Sequence, residues 1–215
     1  MANVSKYPRT VSQEISSAYV KWDNLENIKR NVENAHAVSH EMIKGKSSMT
    51  KFAPSPITAS NFGFNLPEGA EPTKIIVTYR YRKVAGNDYS AKYPKRIGNL
   101  PAPYISLINR NDVIDPDTTR KGVAPTLTMT TYTKEYKVDG LFTRADVNSG
   151  AFGVFFDFRG NTNQYDFYMR FAFVRVSVEY RPASFGVSVK KLSGTGYNGD
   201  DYTVQLSVSN NNRTN

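Results

Sequence analysis

Two histidines, His36 and His40, stand four residues apart with Glu41 beside them. On a helix that spacing sets both imidazoles on one face, where they could hold a metal ion. No third ligand accompanies them, and the alternative is a pair of polar residues on a surface loop. They are the chain's only histidines, so a general base tuned to neutral pH has few other sources. Asp112, Asp115 and Asp117 could offer carboxylate oxygens to calcium. They lack the Asp-x-Asp-x-Asp-Gly spacing and the later Glu of a helix-loop-helix site, and a turn between strands is the simpler account. The run Asn198-Gly-Asp-Asp201 has the same two explanations. A glycosidase pair can be far apart in sequence, and nothing here singles one out. Neither a nucleophile elbow nor a phosphate loop nor a dinucleotide fingerprint occurs. With no cysteine, thiolate chemistry and disulfides drop out as well. No catalytic residue, metal or cofactor is therefore assigned, and the expectation is a protein that binds instead of catalysing.

Binding chemistry has more to draw on. Trp22, with Tyr19 close by, could stack on the apolar face of a sugar ring, so these two are candidate glycan contacts. The alternative is that Trp22 anchors the N-terminal segment in a hydrophobic pocket, and tyrosine enrichment suits a protein interface as readily. The net charge of +9 would attract acidic partners, nucleic acid or anionic polymers. Six cations, Arg80, Arg82, Lys83, Lys92, Lys95 and Arg96, lie in one stretch with only Asp88 between them. Such a run can be a solvated strand face. No helix-turn-helix, zinc finger or RNA-binding signature accompanies it, so no specific nucleic acid partner is expected. The candidate interface is Tyr7, Tyr19, Trp22, Arg80, Arg82, Lys95 and Arg96.

The elements that must position these residues read as strands. Aromatics make up 13% of the 215 residues, with 14 Tyr and 12 Phe among many Ser, Thr and Asn, a mix that fits pleated surfaces better than helices. Residues 1–55 are irregular and polar. An extended arm is expected over residues 1–20, and Asp23–His40 could hold one short helix on the stripe Leu25, Ile28, Val32. From Ile57 onward short apolar runs alternate with Pro, Gly, Asn and Asp clusters. Lys74–Val84 is clearest: Val77, Tyr79 and Tyr81 face one way, Thr78, Arg80 and Arg82 the other. Tyr104–Asn109, Leu127–Thr133 and Phe152–Phe158 give further strands. In Tyr168–Tyr180, strict alternation puts Ala172, Val174, Val176, Val178 and Tyr180 on one face and Met169, Phe171, Phe173, Arg175, Ser177 and Glu179 on the other. Pro182 then ends that strand. Phe185–Leu192 and Tyr202–Ser209 form a hairpin around a turn with three glycines, too small to be stable alone. The expected architecture is an all-β antiparallel sandwich of jelly-roll or Greek-key type: arm 1–20, sandwich 21–182, hairpin 183–215. No run approaches the roughly 20 apolar residues of a membrane span, and residues 1–21 lack the pattern of a secretion signal.

Five phrases in this order resemble a module of structural proteins in tailed viruses and prophage-like regions: Tyr19–Ile28, Asn61–Pro67, Lys74–Arg82, Val147–Val154 and Val174–Tyr180. The second resembles an aromatic strand running into a Pro-Gly turn, and the third, fourth and fifth resemble further strands of that module. The resemblance covers roughly residues 19 to 181. It implies a jelly-roll sandwich in a tail, baseplate, fibre or capsid-decorating protein, found in the virion after assembly in the host cytoplasm. The closing hairpin resembles the first strands of an immunoglobulin-like repeat. Implied partners are other virion subunits and further copies of the chain, with the arm and exposed strand edges as the assembly devices. The alternative is an adhesin that recognises a host surface glycan.

Overall fold

Residues that alternate between water and a core select an extended chain, and the computed structural model has the antiparallel all-β architecture this implies. It describes residues 1–15, 19–39, 53–84, 102–110, 112–114, 122–158, 169–183, 185–193 and 203–210. The first strands are β1 (Ala2–Lys6), β2 (Thr10–Gln13), β3 (Tyr19–Val20), β4 (Trp22–Asp23), β5 (Ala37–Ser39), β6 (Ala53–Pro54) and β7 (Ile57–Ser60). Then come β8 (Glu71–Lys83), β9 (Tyr104–Asn109), β10 (Asp112–Ile114), β11 (Thr130–Lys137), the short helix α1 (Arg144–Asn148), β12 (Gly153–Asp157) and β13 (Met169–Arg181). The hairpin strands are β14 (Phe185–Ser193) and β15 (Thr203–Asn210), which pair with each other and form a sheet of their own.

Two larger sheets make the sandwich. The six-stranded sheet runs β11-β8-β13-β5-β4, with β1 on the same side of β13 as β5. The five-stranded sheet runs β10-β9-β12-β7-β2. Between β7 and β13 the chain changes sheet at every step except β9 to β10. This crossing pattern is consistent with a Greek-key or jelly-roll sandwich and excludes a meander.

The inner faces meet in one core. From the six-stranded sheet come Ile75, Val77, Tyr79, Tyr81, Phe171, Val174, Val176 and Val178, and from the other Ile57, Ala59, Ile105, Leu107, Val154 and Phe156, all buried. Phe156 joins the layers, with its ring 5.6 Å from Tyr79 and 5.3 Å from Phe171. Both contacts are edge-on, the arrangement the ring quadrupoles favour. Gly153 lies where β12 passes between β7 and β9, and a Cβ there would stand 2.8 Å from the Ala59 carbonyl oxygen. Only glycine lets the strands approach that closely.

Several expectations are corrected. Strict alternation fails in β13, because the register with β8 slips between Phe171 and Phe173. Phe171 lies opposite Tyr81 and faces the core, while Phe173 lies opposite Arg80 and faces outward with Arg170, Arg175, Ser177 and Glu179. The arm is extended but lies on its own sandwich. β1 pairs with β13 from Ala2 opposite Tyr180 to Lys6 opposite Val176, and β2 pairs with β7, so the first 13 residues add a strand to each sheet. The segment after Trp22 forms a single 3-10 turn, Leu25–Lys29, that buries Ile28. Thr130 instead of Leu127 opens β11, because the Thr126 and Thr130 hydroxyls both donate to the Thr128 carbonyl and hold a bend there. Val147 and Asn148 end α1 and are not strand residues. Asn61–Pro67 is irregular, with Gly63 at φ +66°.

Candidate binding face

The outer face of the six-stranded sheet gathers charge by strand pairing. On β8 the outward residues are Lys74, Ile76, Thr78, Arg80 and Arg82, the side opposite the core set. Across the ladder Glu179 stands opposite Lys74, Arg175 opposite Thr78, Phe173 opposite Arg80 and Arg170 opposite Arg82. On the other flank Glu135 lies opposite Ile76, and Thr131 opposite Arg80.

Charge is sorted along this face. At one end Lys74 Nζ lies 3.4 Å from Glu179 and 3.7 Å from Glu135. The hydrogen bond with Glu179, then the field of Glu135, raises the lysine pKa. At the other end four arginines share two strands, and Arg82 directly faces Arg170. Directly opposed like charges destabilise a ladder by roughly 0.2–1 kcal/mol. Among the described residues, neither Arg80 nor Arg175 has a hydrogen-bond or ion-pair partner, and the Nε of each is shielded from solvent. Their side chains are half-buried. Stems laid on the sheet with charged tips outward give that exposure. Arg82 Nη1 makes a long contact, 3.4 Å, with the Leu127 carbonyl.

Phe173, only 5% exposed, sits among these cations. The Tyr7 ring meets it edge-on at 6.1 Å. His36, just before β5, belongs to the same end of the sheet: burial, then the charges of Arg170 and Arg82, lower its pKa.

The sequence candidates divide clearly. Arg80, Arg82 and Tyr7 come together on this face. Trp22 does not: it is 3% exposed, its Nε1 donates to the Ser55 carbonyl at 2.8 Å, and its ring lies 5.5 Å from Phe158 and 6.1 Å from Phe171. Trp22 is therefore neither an interface residue nor a sugar platform, because the core covers it. Tyr19 is placed only as a backbone position in β3, paired with β6. Lys92, Lys95, Arg96 and Asp88 lie outside the described residues, as do His40, Glu41, Asp115, Asp117 and residues 198–201. His36 precedes a strand and is not on a helix, so the i, i+4 helical pairing with His40 is lost. Asp112 opens β10 and is exposed. No three of His, Asp and Glu among the described residues are grouped to hold a metal ion.

Arg170 and Arg175 were not singled out by the sequence. Strand periodicity alone could not have found both, since residues five apart face opposite sides of a regular strand, and only the slip between Phe171 and Phe173 puts the two on one face. A second charged group, Asp146, is structural. Burial alone would raise its pKa, but the Thr143 hydroxyl and amide, then Arg110, hold it below the usual carboxylate range. It closes the capping box of α1, with the Thr143 Oγ1 2.7 Å and the Arg110 Nε 3.0 Å away.

Comparison with models of known families gave no match, and neither did comparison with curated proteins.

Proposed function

We propose that this chain is a structural subunit that works by assembly and display, of the kind used in tails, baseplates, fibres or capsid decoration of a virion. The observation that supports this best is the Arg80–Arg175 end of the outer sheet face. There cations are concentrated by strand pairing, and two of them, Arg80 and Arg175, are left without counter-ions among the described residues. A free protein has little use for that arrangement, since like charges brought together oppose folding, while an acidic neighbour docked on it would reverse the sign of the effect. The ordered phrases that resemble phage structural modules point the same way. Steering of a neighbour onto the face by its charge is the mechanism, with sheet edges supplying further contacts between copies.

Native mass measurement tests the assembly. A defined oligomer, or a stable complex with another particle component, is the expected result. A monomer at every concentration, together with absence of the chain from purified particles, would overturn the proposal.

A further inference from the structure

We infer that the Arg80–Arg175 end of the outer face docks a carboxylate-rich segment of a different, acidic protein subunit, and not a second copy of this chain. The inference rests on the assembly reading above and names its partner.

The first support is the sorting of charge on one sheet face. Lys74 is compensated by Glu135 and Glu179, whereas Arg80 and Arg175 have no counter-ion among the described residues. Because Phe173 lies opposite Arg80 and Arg175 opposite Thr78, the two arginines are diagonal cross-strand neighbours, close enough for long side chains to converge on one ligand. With each Nε shielded, the outer pair of guanidinium nitrogens is what a partner can meet, and that planar fork matches a carboxylate in bidentate fashion.

Side-chain choice separates a protein partner from a phosphate polymer. Lysine outnumbers arginine in the chain, 15 to 13, yet the four outward cations of this end are all arginine, and Phe173, which Tyr7 meets edge-on, lies opposite one of them, Arg80. Arginine with aromatics, at the expense of lysine, is the composition of protein–protein contact centres. Surfaces that neutralise phosphate backbones use lysine and arginine alike. A second copy is a poor occupant, since each chain carries +9 and a two-fold contact through this face would set arginine against arginine.

The test uses the full chain with two probes, a synthetic oligoglutamate peptide and inorganic polyphosphate, in titration calorimetry at low and physiological salt. The variants are Arg80→Gln/Arg175→Gln and a charge-matched control, Lys6→Gln/Lys137→Gln. Oligoglutamate should bind, at least tenfold more weakly in the arginine pair and less than twofold more weakly in the lysine pair, with circular dichroism unchanged. Equal losses in both pairs, no binding at all, or tighter arginine-dependent binding of polyphosphate would each overturn the inference. Should the double variant fail to fold, Arg175→Lys keeps the charge and removes the fork: a marked loss of affinity supports the site, and full affinity sinks it. Light scattering on the same samples separates the two readings. An assembling chain that ignores oligoglutamate undoes this site alone. A chain that binds oligoglutamate through these arginines yet never assembles undoes the assembly reading alone.

Discussion

Phe173 stands directly across the β8–β13 ladder from Arg80, on the outer side of the sheet. Phe171, two residues earlier, faces the core against Tyr81, with their rings 5.8 Å apart. A strand without irregularity would have put both phenylalanines on one side. The slip between them decides which of the arginines on β13 join Arg80 and Arg82.

The two phenylalanines should therefore respond differently to truncation. Phe171 is fully buried among Trp22, Tyr81, Phe156 and Phe158, and Phe171→Ala is expected to cost about 3–5 kcal/mol. Phe173 packs on the outer face with Tyr7, outside the core cluster, where exposed neighbours can close over the gap, and Phe173→Ala should cost about 1.5–3 kcal/mol. Urea unfolding of both variants checks this. Equal losses would mean that the outward placement of Phe173 is wrong.

Much of the fold was legible in residues whose polarity matches their period. In β8, Val77, Tyr79 and Tyr81 point inward and Arg80 and Arg82 outward, as the alternation predicts, and β9 runs from Tyr104 to Asn109 as expected. In β13 the pattern misleads because both faces are apolar near Phe171–Phe173, so polarity cannot mark the slip. The strand role of Ala2–Lys6 was hidden for a different reason. An edge strand of Asn, Ser and Lys buries little, and its pairing is made by backbone groups that carry no sequence signal. The binding face was half legible for the same cause: Arg80 and Arg82 are close in sequence, while Arg170 and Arg175 reach them only through register.

Trp22 is the single tryptophan, which makes its environment measurable without labelling. Its burial between Phe158 and Phe171 and its bond to the Ser55 carbonyl predict blue-shifted emission and weak quenching by acrylamide in the native state. Trp22→Ala should destabilise by about 3–5 kcal/mol through the cavity it leaves. Red-shifted, readily quenched emission would place the ring in water and return it to the list of binding residues.

Removal of residues 1–13 should act on the sandwich itself. Ladders from β1 to β13 and from β2 to β7 would be lost, together with the buried Val11 side chain, and the Ser5 Oγ contact with Ser177 Oγ, 2.7 Å, would go too. At about 0.5–1.5 kcal/mol for each backbone hydrogen bond, the loss amounts to several kcal/mol, a large part of a typical domain's stability. Thermal unfolding of the truncated chain should show a much lower Tm. An unchanged Tm accompanied by a smaller oligomer would show instead that the arm serves neighbours and not its own sheets.

His36 gives the fold a pH dependence whose sign can be worked out. Burial, then the nearby charges of Arg170 and Arg82, lower its pKa from 6.5, so the unfolded chain takes up the proton first as pH falls. Stability associated with the neutral imidazole is then present above about pH 6.5 and is lost as pH drops toward the folded value. Replacing the histidine by glutamine removes this linkage while the carboxylates, which titrate lower, stay as a common background. The expected outcome is that unfolding free energy falls less steeply between about pH 7 and pH 5 in His36→Gln than in the parent chain, and that Arg170→Gln narrows the difference by removing one of the opposing charges. Identical slopes in all three proteins would show that His36 does not feel the arginine end of the sheet. A steeper slope in the glutamine variant would reverse the sign and require a counter-charge beside the imidazole.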